Sequence, residues 1–115
     1  MPRSPQEIFE HHATALAAGD VDEILADYTD DAVIISPEGP VRGRDGIREA
    51  FIGILAALPD ATWDIPTQIY AGDVLFIEWS AVSKAGRVTD GIDTIIFSDD
   101  GIRAQTVRFT LQPAD

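Results

Sequence analysis

Three titratable residues stand where the hydrophobic pattern asks for apolar ones. His12 lies on the stripe Ile8, His12, Ala15, Leu16, one face of a helical segment, while His11 points away. A histidine there is either a satisfied core residue or a pocket acid or base, because imidazole titrates near neutral pH. Asp93 shares a strand face with Ile95 and Phe97. A carboxylate among such neighbours must find partners or hold its proton more tightly. Glu78 interrupts Phe76-Ile77-Glu78-Trp79. A turn centred on Ala85-Gly86 pairs Lys84 with Arg87 and sets Glu78 opposite Asp93. Two facing carboxylates repel, so one of them keeps a proton, unless nearby Arg, Thr or Trp groups satisfy both. A register one residue away puts Trp79 beside Asp93 instead. The next strand carries Gln105, Val107 and Phe109 on one face, and a turn at Gly101 sets Val107 opposite Asp93. Closed by His12, Tyr28 and Phe51, this patch forms an apolar pocket with a few convergent polar groups, the usual form of a small-molecule site.

The elements that must position these residues run helices first, strands last, an α+β order. Ser4-Pro5-Gln6-Glu7 is a capping box with proline at the first helical position, and Gly19 ends that helix. Asp20-Val21-Asp22-Glu23 opens a short second helix with the stripe Val21, Ile24, Leu25, Tyr28, closed by Thr29-Asp30-Asp31. Strands are predicted over 32–36 and 41–43, and a third helix over 45–58 with Phe51 inward. Four long strands follow near 62–71, 73–84, 87–98 and 102–111. Pro66 marks the first of these as an edge, since proline cannot donate to a ladder. The central strands are apolar on both faces, which predicts helices on one and a second subunit, a homodimer partner, on the other.

Composition excludes several classes. The 115 residues suit one domain, 1–115. There is no cysteine, hence no thiol nucleophile and no cysteine-held metal. Twenty Asp and Glu against eight Lys and Arg give a net charge of −12, unsuited to nucleic acid or an anionic membrane surface. No apolar run reaches the length of a membrane span, and the N-terminus lacks a signal-peptide core, so a cytoplasmic protein is expected. The acidic residues Asp20, Asp22, Glu23, Asp27, Asp30 and Asp31 read as caps and solvated surface. Adjacent His11 and His12 point about 100° apart and make a poor metal site. Neither metal nor cofactor is expected, and a neutral or weakly polar small molecule is the expected partner.

The segments Ala15-Leu16-Ala17-Ala18-Gly19-Asp20, Tyr28-Thr29-Asp30-Asp31-Ala32-Val33, Gly43-Arg44-Asp45-Gly46-Ile47-Arg48 and Asp93-Thr94-Ile95-Ile96-Phe97 resemble the SnoaL-like branch of the nuclear transport factor 2-like superfamily. The resemblance covers nearly the whole chain. It implies three N-terminal helices packed in the concave face of a curved, mixed but mainly antiparallel sheet, a cone-like α+β barrel, usually dimeric. Members include steroid isomerases, polyketide cyclases, epoxide hydrolases, dehydratases and non-catalytic binding domains. By resemblance to the steroid isomerases, Asp93 occupies the position of a protonated donor and His12 that of a tyrosine, while Ser36 stands at the position of the carboxylate base. Serine is no such base, so steroid isomerisation is not expected. Two readings follow. One is a cofactor-free acid–base enzyme of isomerase, cyclase or dehydratase type, acting on a small apolar carbonyl compound. In it Asp93 donates to a developing enolate, His12 shuttles the proton and Glu78 tunes Asp93. Tyr28, Ser36, Phe51, Trp79, Gln105, Val107 and Phe109 then contact the substrate. The other is a ligand-binding or dimerisation domain without turnover.

Overall fold

The computed structural model describes residues 3–114. Helices α1 (Pro5–Ala18) and α2 (Val21–Leu25) lead into strands β1 (Tyr28–Ser36) and β2 (Gly39–Arg42). Helix α3 (Gly43–Ala57) follows, then β3 (Thr62–Ala71), β4 (Val74–Val82), β5 (Gly86–Ser98), β6 (Gly101–Arg108) and the short β7 (Gln112–Pro113). Both predicted caps form. Ser4 Oγ accepts from the Glu7 amide while the Glu7 carboxylate takes the Ser4 N–H, and Gly19 closes α1 in the left-handed conformation. Asp20 caps α2 by accepting from the Glu23 amide.

One curved, open sheet carries the strands in the order β2-β1-β6-β5-β4-β3, with β7 beside β5. Only β1 and β6 run parallel, so the sheet is mixed and mainly antiparallel, and it does not close into a barrel. The three helices pack on its concave side. The core lies between them and includes Ile8, Ile24, Ile47, Leu75, Ile95 and Ile102, each with no exposure. Pro66 lies on edge strand β3, where the ladder skips from Asp64 to Thr67, a bulge that spares the missing donor. Among the described residues no helix is long and apolar enough to cross a membrane.

Three local expectations are corrected. Tyr28, Thr29, Asp30 and Asp31 are not the end of α2; they begin β1, where Tyr28 pairs with Ile102 of β6. The turn is centred on Lys84-Ala85 rather than on Ala85-Gly86. The Ser83 N–H donates to the Gly86 carbonyl at 2.8 Å and Ser83 Oγ accepts from the amides of Ala85 and Gly86, so Val82, not Lys84, pairs with Arg87. The pairing then slips between Trp79 and Ala81, and Asp93 comes opposite Ile77 while Glu78 comes opposite Ile92. Glu78 and Asp93 therefore leave opposite faces of the sheet, because successive strand residues alternate. Finally, Asp27 is no solvated acid: it has no exposure at all.

Candidate active site

The helices and the concave sheet face line an open cavity of about 600 Å³ with a largely apolar wall. From α1 it receives Phe9, His12 and Leu16, from α3 Phe51 and Ile54, and from β1 Ile34 and Ser36. The sheet supplies Trp63, Ile65, Ile77, Trp79, Asp93, Ile95, Gln105 and Val107, and Phe109 follows β6. Two aromatic clusters line or back the wall. His12 packs edge-on against Tyr28 and Phe51, with ring centres 5.5 and 5.9 Å away. Trp79 packs at 5.5 Å against both Trp63 and Phe109.

Asp93 is the polar centre of the sheet wall. It is buried, opposite Val107 as the register predicted. Trp79 Nε1–H donates to its Oδ1 at 2.9 Å, and Gln105 Nε2–H donates to its Oδ2 at 2.7 Å. The Tyr28 hydroxyl donates in turn to Gln105 Oε1 at 2.5 Å. Each carboxylate oxygen thus receives one donor and keeps a lone pair. Burial pushes the Asp93 carboxyl above the usual carboxylate range, against the pull of the Trp79 and Gln105 hydrogen bonds. Burial, together with the negative charge of Asp93 and Asp27, pushes the Tyr28 phenol well above its ordinary value. The indole reaches Asp93 because of Gly91, its cross-strand neighbour. A Cβ at that position would overlap the Trp79 ring.

His12 is almost fully buried. Among the described residues its Nδ1 is the one buried side-chain polar atom without a hydrogen bond. The carboxylate of Asp27 stands 3.6 Å from that nitrogen, at ion-pair distance. His11, partly exposed, is tied to two carboxylates. Its Nδ1 meets both Asp27 oxygens at 2.8 Å, and its Nε2 meets Glu23 at 3.0 Å. Arg3 Nη1 donates to Asp27 Oδ1 at 2.8 Å. Burial raises the Asp27 carboxyl, but His12, His11 and Arg3 outweigh it and hold the group below its ordinary value. The Asp27 and Glu23 carboxylates raise the His11 imidazole.

The fold brings His12, Ser36, Phe51, Trp79, Asp93, Gln105, Val107 and Phe109 to one cavity. Tyr28 is not on its wall; it lies behind, with its hydroxyl taken by Gln105. Ser36 Oγ is engaged by the Glu38 amide in the β1–β2 turn. Glu78 is exposed on the opposite face and accepts from Thr67 Oγ1 at 2.8 Å, so it cannot tune Asp93 by direct contact. Asp27 and Gly91 were missed. For Gly91 a signal existed, since a lone glycine inside a strand marks a bulge or a close approach. For Asp27 the sequence offers only its place between buried Leu25 and Tyr28, among acids that do cap and solvate. No group of three or more metal-binding side chains occurs among the described residues.

Compared with protein families, residues 9–105 match the SnoaL-like domain. A search of curated proteins finds no match. Similar solved structures include an NTF-2 like protein of unknown function from Burkholderia xenovorans LB400, 19% identical with a TM-score of 0.77, the match covering 96% of this chain and 85% of that one. IdmH from Streptomyces antibioticus, a proposed polyketide cyclase, is 19% identical with a TM-score of 0.77 over 93% of this chain and 92% of its own. AclR from Streptomyces galilaeus, a proposed hydroxylase, is 13% identical with a TM-score of 0.78 over 95% and 80%. At these identities the likeness is one of fold, and a fold hosts many chemistries.

Proposed function

This chain belongs to the SnoaL-like domain family, and on that premise we propose that it is a cofactor-free acid–base enzyme acting on a small, mostly apolar carbonyl compound. The observation that carries the reading is the buried Asp93 carboxylate on the wall of an apolar cavity. Its two donors occupy both oxygens from neutral groups, an arrangement that suits an ionised acceptor better than the protonated donor expected by resemblance. Burial makes that acceptor more basic than a solvated carboxylate. Asp93 takes a proton from the carbon next to the substrate carbonyl, and the C–H electron pair moves into the enolate. His12 shuttles the proton, taking it from the protonated Asp93 on its ring nitrogen and handing it back to the substrate. Return of a proton at another carbon completes an isomerisation, and attack of the enolate on a second carbonyl completes a cyclisation. Phe51, Trp79, Val107 and Phe109 shape the apolar site, Gln105 holds Asp93, and Ser36 adds a polar contact at one end.

The outer sheet face supports a homodimer. Ile69 and Ile92 are 60% and 42% exposed there, beside half-buried Phe76 and Ile96. The cysteine-free composition agrees with a cytoplasmic setting.

The test is enzyme-dependent hydrogen–deuterium exchange next to the carbonyl in a panel of cyclic ketones, followed by NMR. The wild-type protein accelerates exchange for some members. Asp93→Asn folds and loses about 10²- to 10⁴-fold of that rate, the usual weight of a positioned base. Equal exchange in the variant sinks the assignment of Asp93. Binding of the panel with no exchange would favour the non-catalytic binding domain.

A further inference from the structure

We propose that Asp27 is a positioning residue that holds His12 in the Nδ1–H form and leaves Nε2 as the free acceptor of the cavity. The inference gives a further part to the acid–base site read above and rests on that reading for its purpose, but not for its test.

The geometry begins with two histidines adjacent on α1. Their side chains diverge by about 100°, and they straddle one buried carboxylate. His11 approaches Asp27 from the solvent side, and its ring is about a third exposed. His12 approaches from the cavity side, with its ring fixed edge-on between Tyr28 and Phe51. Asp27 cannot turn away. Its backbone carbonyl accepts from the Ile102 amide at 2.7 Å. Gly101 presses so closely on that carbonyl that no Cβ could stand there. Its carboxylate is held by Arg3 and His11. An ionised carboxylate only accepts. The ring nitrogen facing it, 3.6 Å away, is otherwise without a partner, so it carries the hydrogen. In a neutral imidazole the other nitrogen then has the lone pair.

The surrounding charges agree with this division. The hydroxyl of Tyr28 is committed to Gln105 and does not compete for His12. Asp93 stands on the same cavity wall, and Glu38 and Glu49 are exposed at its edge. None of the three is hydrogen-bonded to Nδ1.

The experiment records the side-chain ¹⁵N shifts of the two histidines by long-range ¹H–¹⁵N correlation at alkaline pH, where imidazole is neutral. Loss of one set in His11→Asn assigns the other to His12. The expected wild-type spectrum shows His12 protonated at Nδ1 and bare at Nε2. In Asp27→Asn, Arg3 and His11 keep the amide oxygen, so the amide NH₂ turns toward His12 and the tautomer reverses to Nε2–H. Where the exchange activity exists, kcat falls in this variant with KM unchanged. A wild-type His12 protonated at Nε2 overturns the proposal, and so does a folded Asp27→Asn with the wild-type tautomer. If Asp27→Asn does not fold, the wild-type spectrum alone decides. Because no substrate enters this measurement, its failure is distinct from a failure of the exchange assay.

Discussion

Replacing Trp79 with phenylalanine removes one hydrogen from the Asp93 site while an aromatic ring stays on the cavity wall. The lost group is the indole N–H that donates to Asp93 Oδ1 at 2.9 Å. Gln105 Nε2 remains on Oδ2, so the carboxylate keeps one of two donors. A hydrogen bond to a charged group contributes about 1.5–3 kcal/mol. Losing that donor pushes the Asp93 carboxyl, already raised by burial, further up, because the Trp79 hydrogen bond pulls it down. The sign for stability follows. A folded carboxyl raised above its unfolded value binds its proton more tightly in the native state. The fold therefore gains stability as pH falls through the folded pKa, and the gain is complete below the unfolded value of about 3.9. Trp79→Phe widens that window upward. The variant must lose more stability at neutral pH, where the charge needs its donor, than at pH 3–4 or so, where the carboxyl is protonated. The smaller ring costs packing equally at both, so the difference isolates the hydrogen bond. Carboxyl ¹³C titration reads the pKa, and urea unfolding at the two pH values reads the stabilities. A pKa that stays or falls, or a stability loss independent of pH, refutes the reasoning.

The ion pairs around Asp27 give a second pH signature. Because the His11 imidazole is raised, its stabilisation is complete below the unfolded value of about 6.5 and is lost as pH rises through the folded one. His11→Asn should flatten the alkaline decline in Tm, and an unchanged slope would remove His11 from the account. On the outer face, sedimentation equilibrium should find a dimer that Ile69→Asp converts to a folded monomer. A monomeric wild-type protein would show that this face serves some other purpose.

The order of elements was legible because it rests on local signals. Ser4-Pro5, Gly19, Asp20 and Pro66 mark helix ends and a sheet edge through one residue's own chemistry, and each sits where that chemistry requires. The Asp93–Val107 pairing was also legible, although the turn reaches it by another route: Ser98 pairs with Gly101, and a bulge between Ile96 and Phe97 restores the expected register. Glu78 was misplaced because Ser83 rebuilt its turn with a side-chain hydroxyl and a bulge followed. A one-residue difference is invisible in strands apolar on both faces, where either alternation buries hydrophobic side chains. Tyr28 was read as helical because Ile24, Leu25 and Tyr28 share a helical period, but strand β6 offered its backbone a parallel partner. Asp27 was hidden by its company. Five acids nearby do what surface acids do, and only the third dimension shows that the sixth is held by Arg3 and His11 and faces His12.

These errors are connected. Moving Glu78 out of the site removed the like charge that was to keep Asp93 protonated. The same register brought in Trp79, a neutral donor, beside Asp93. A carboxylate raised by a neighbouring charge and one raised by burial differ in consequence. The first relaxes when the neighbour protonates or is removed. The second does not depend on a neighbouring charge, and the group becomes more basic when an apolar ligand displaces water around it. Asp93 belongs to the second kind, with burial as the cause of its shift. Its basicity is thus coupled to occupancy of the site, and substrates that fill the aromatic walls at Phe51, Trp63 and Phe109 should be the ones whose protons it removes fastest. Within the ketone panel, the exchange rate should rise with the apolar size of the ring until the cavity is full. A rate that follows the acidity of the ketone alone would mean that the cavity contributes no desolvation to the chemistry.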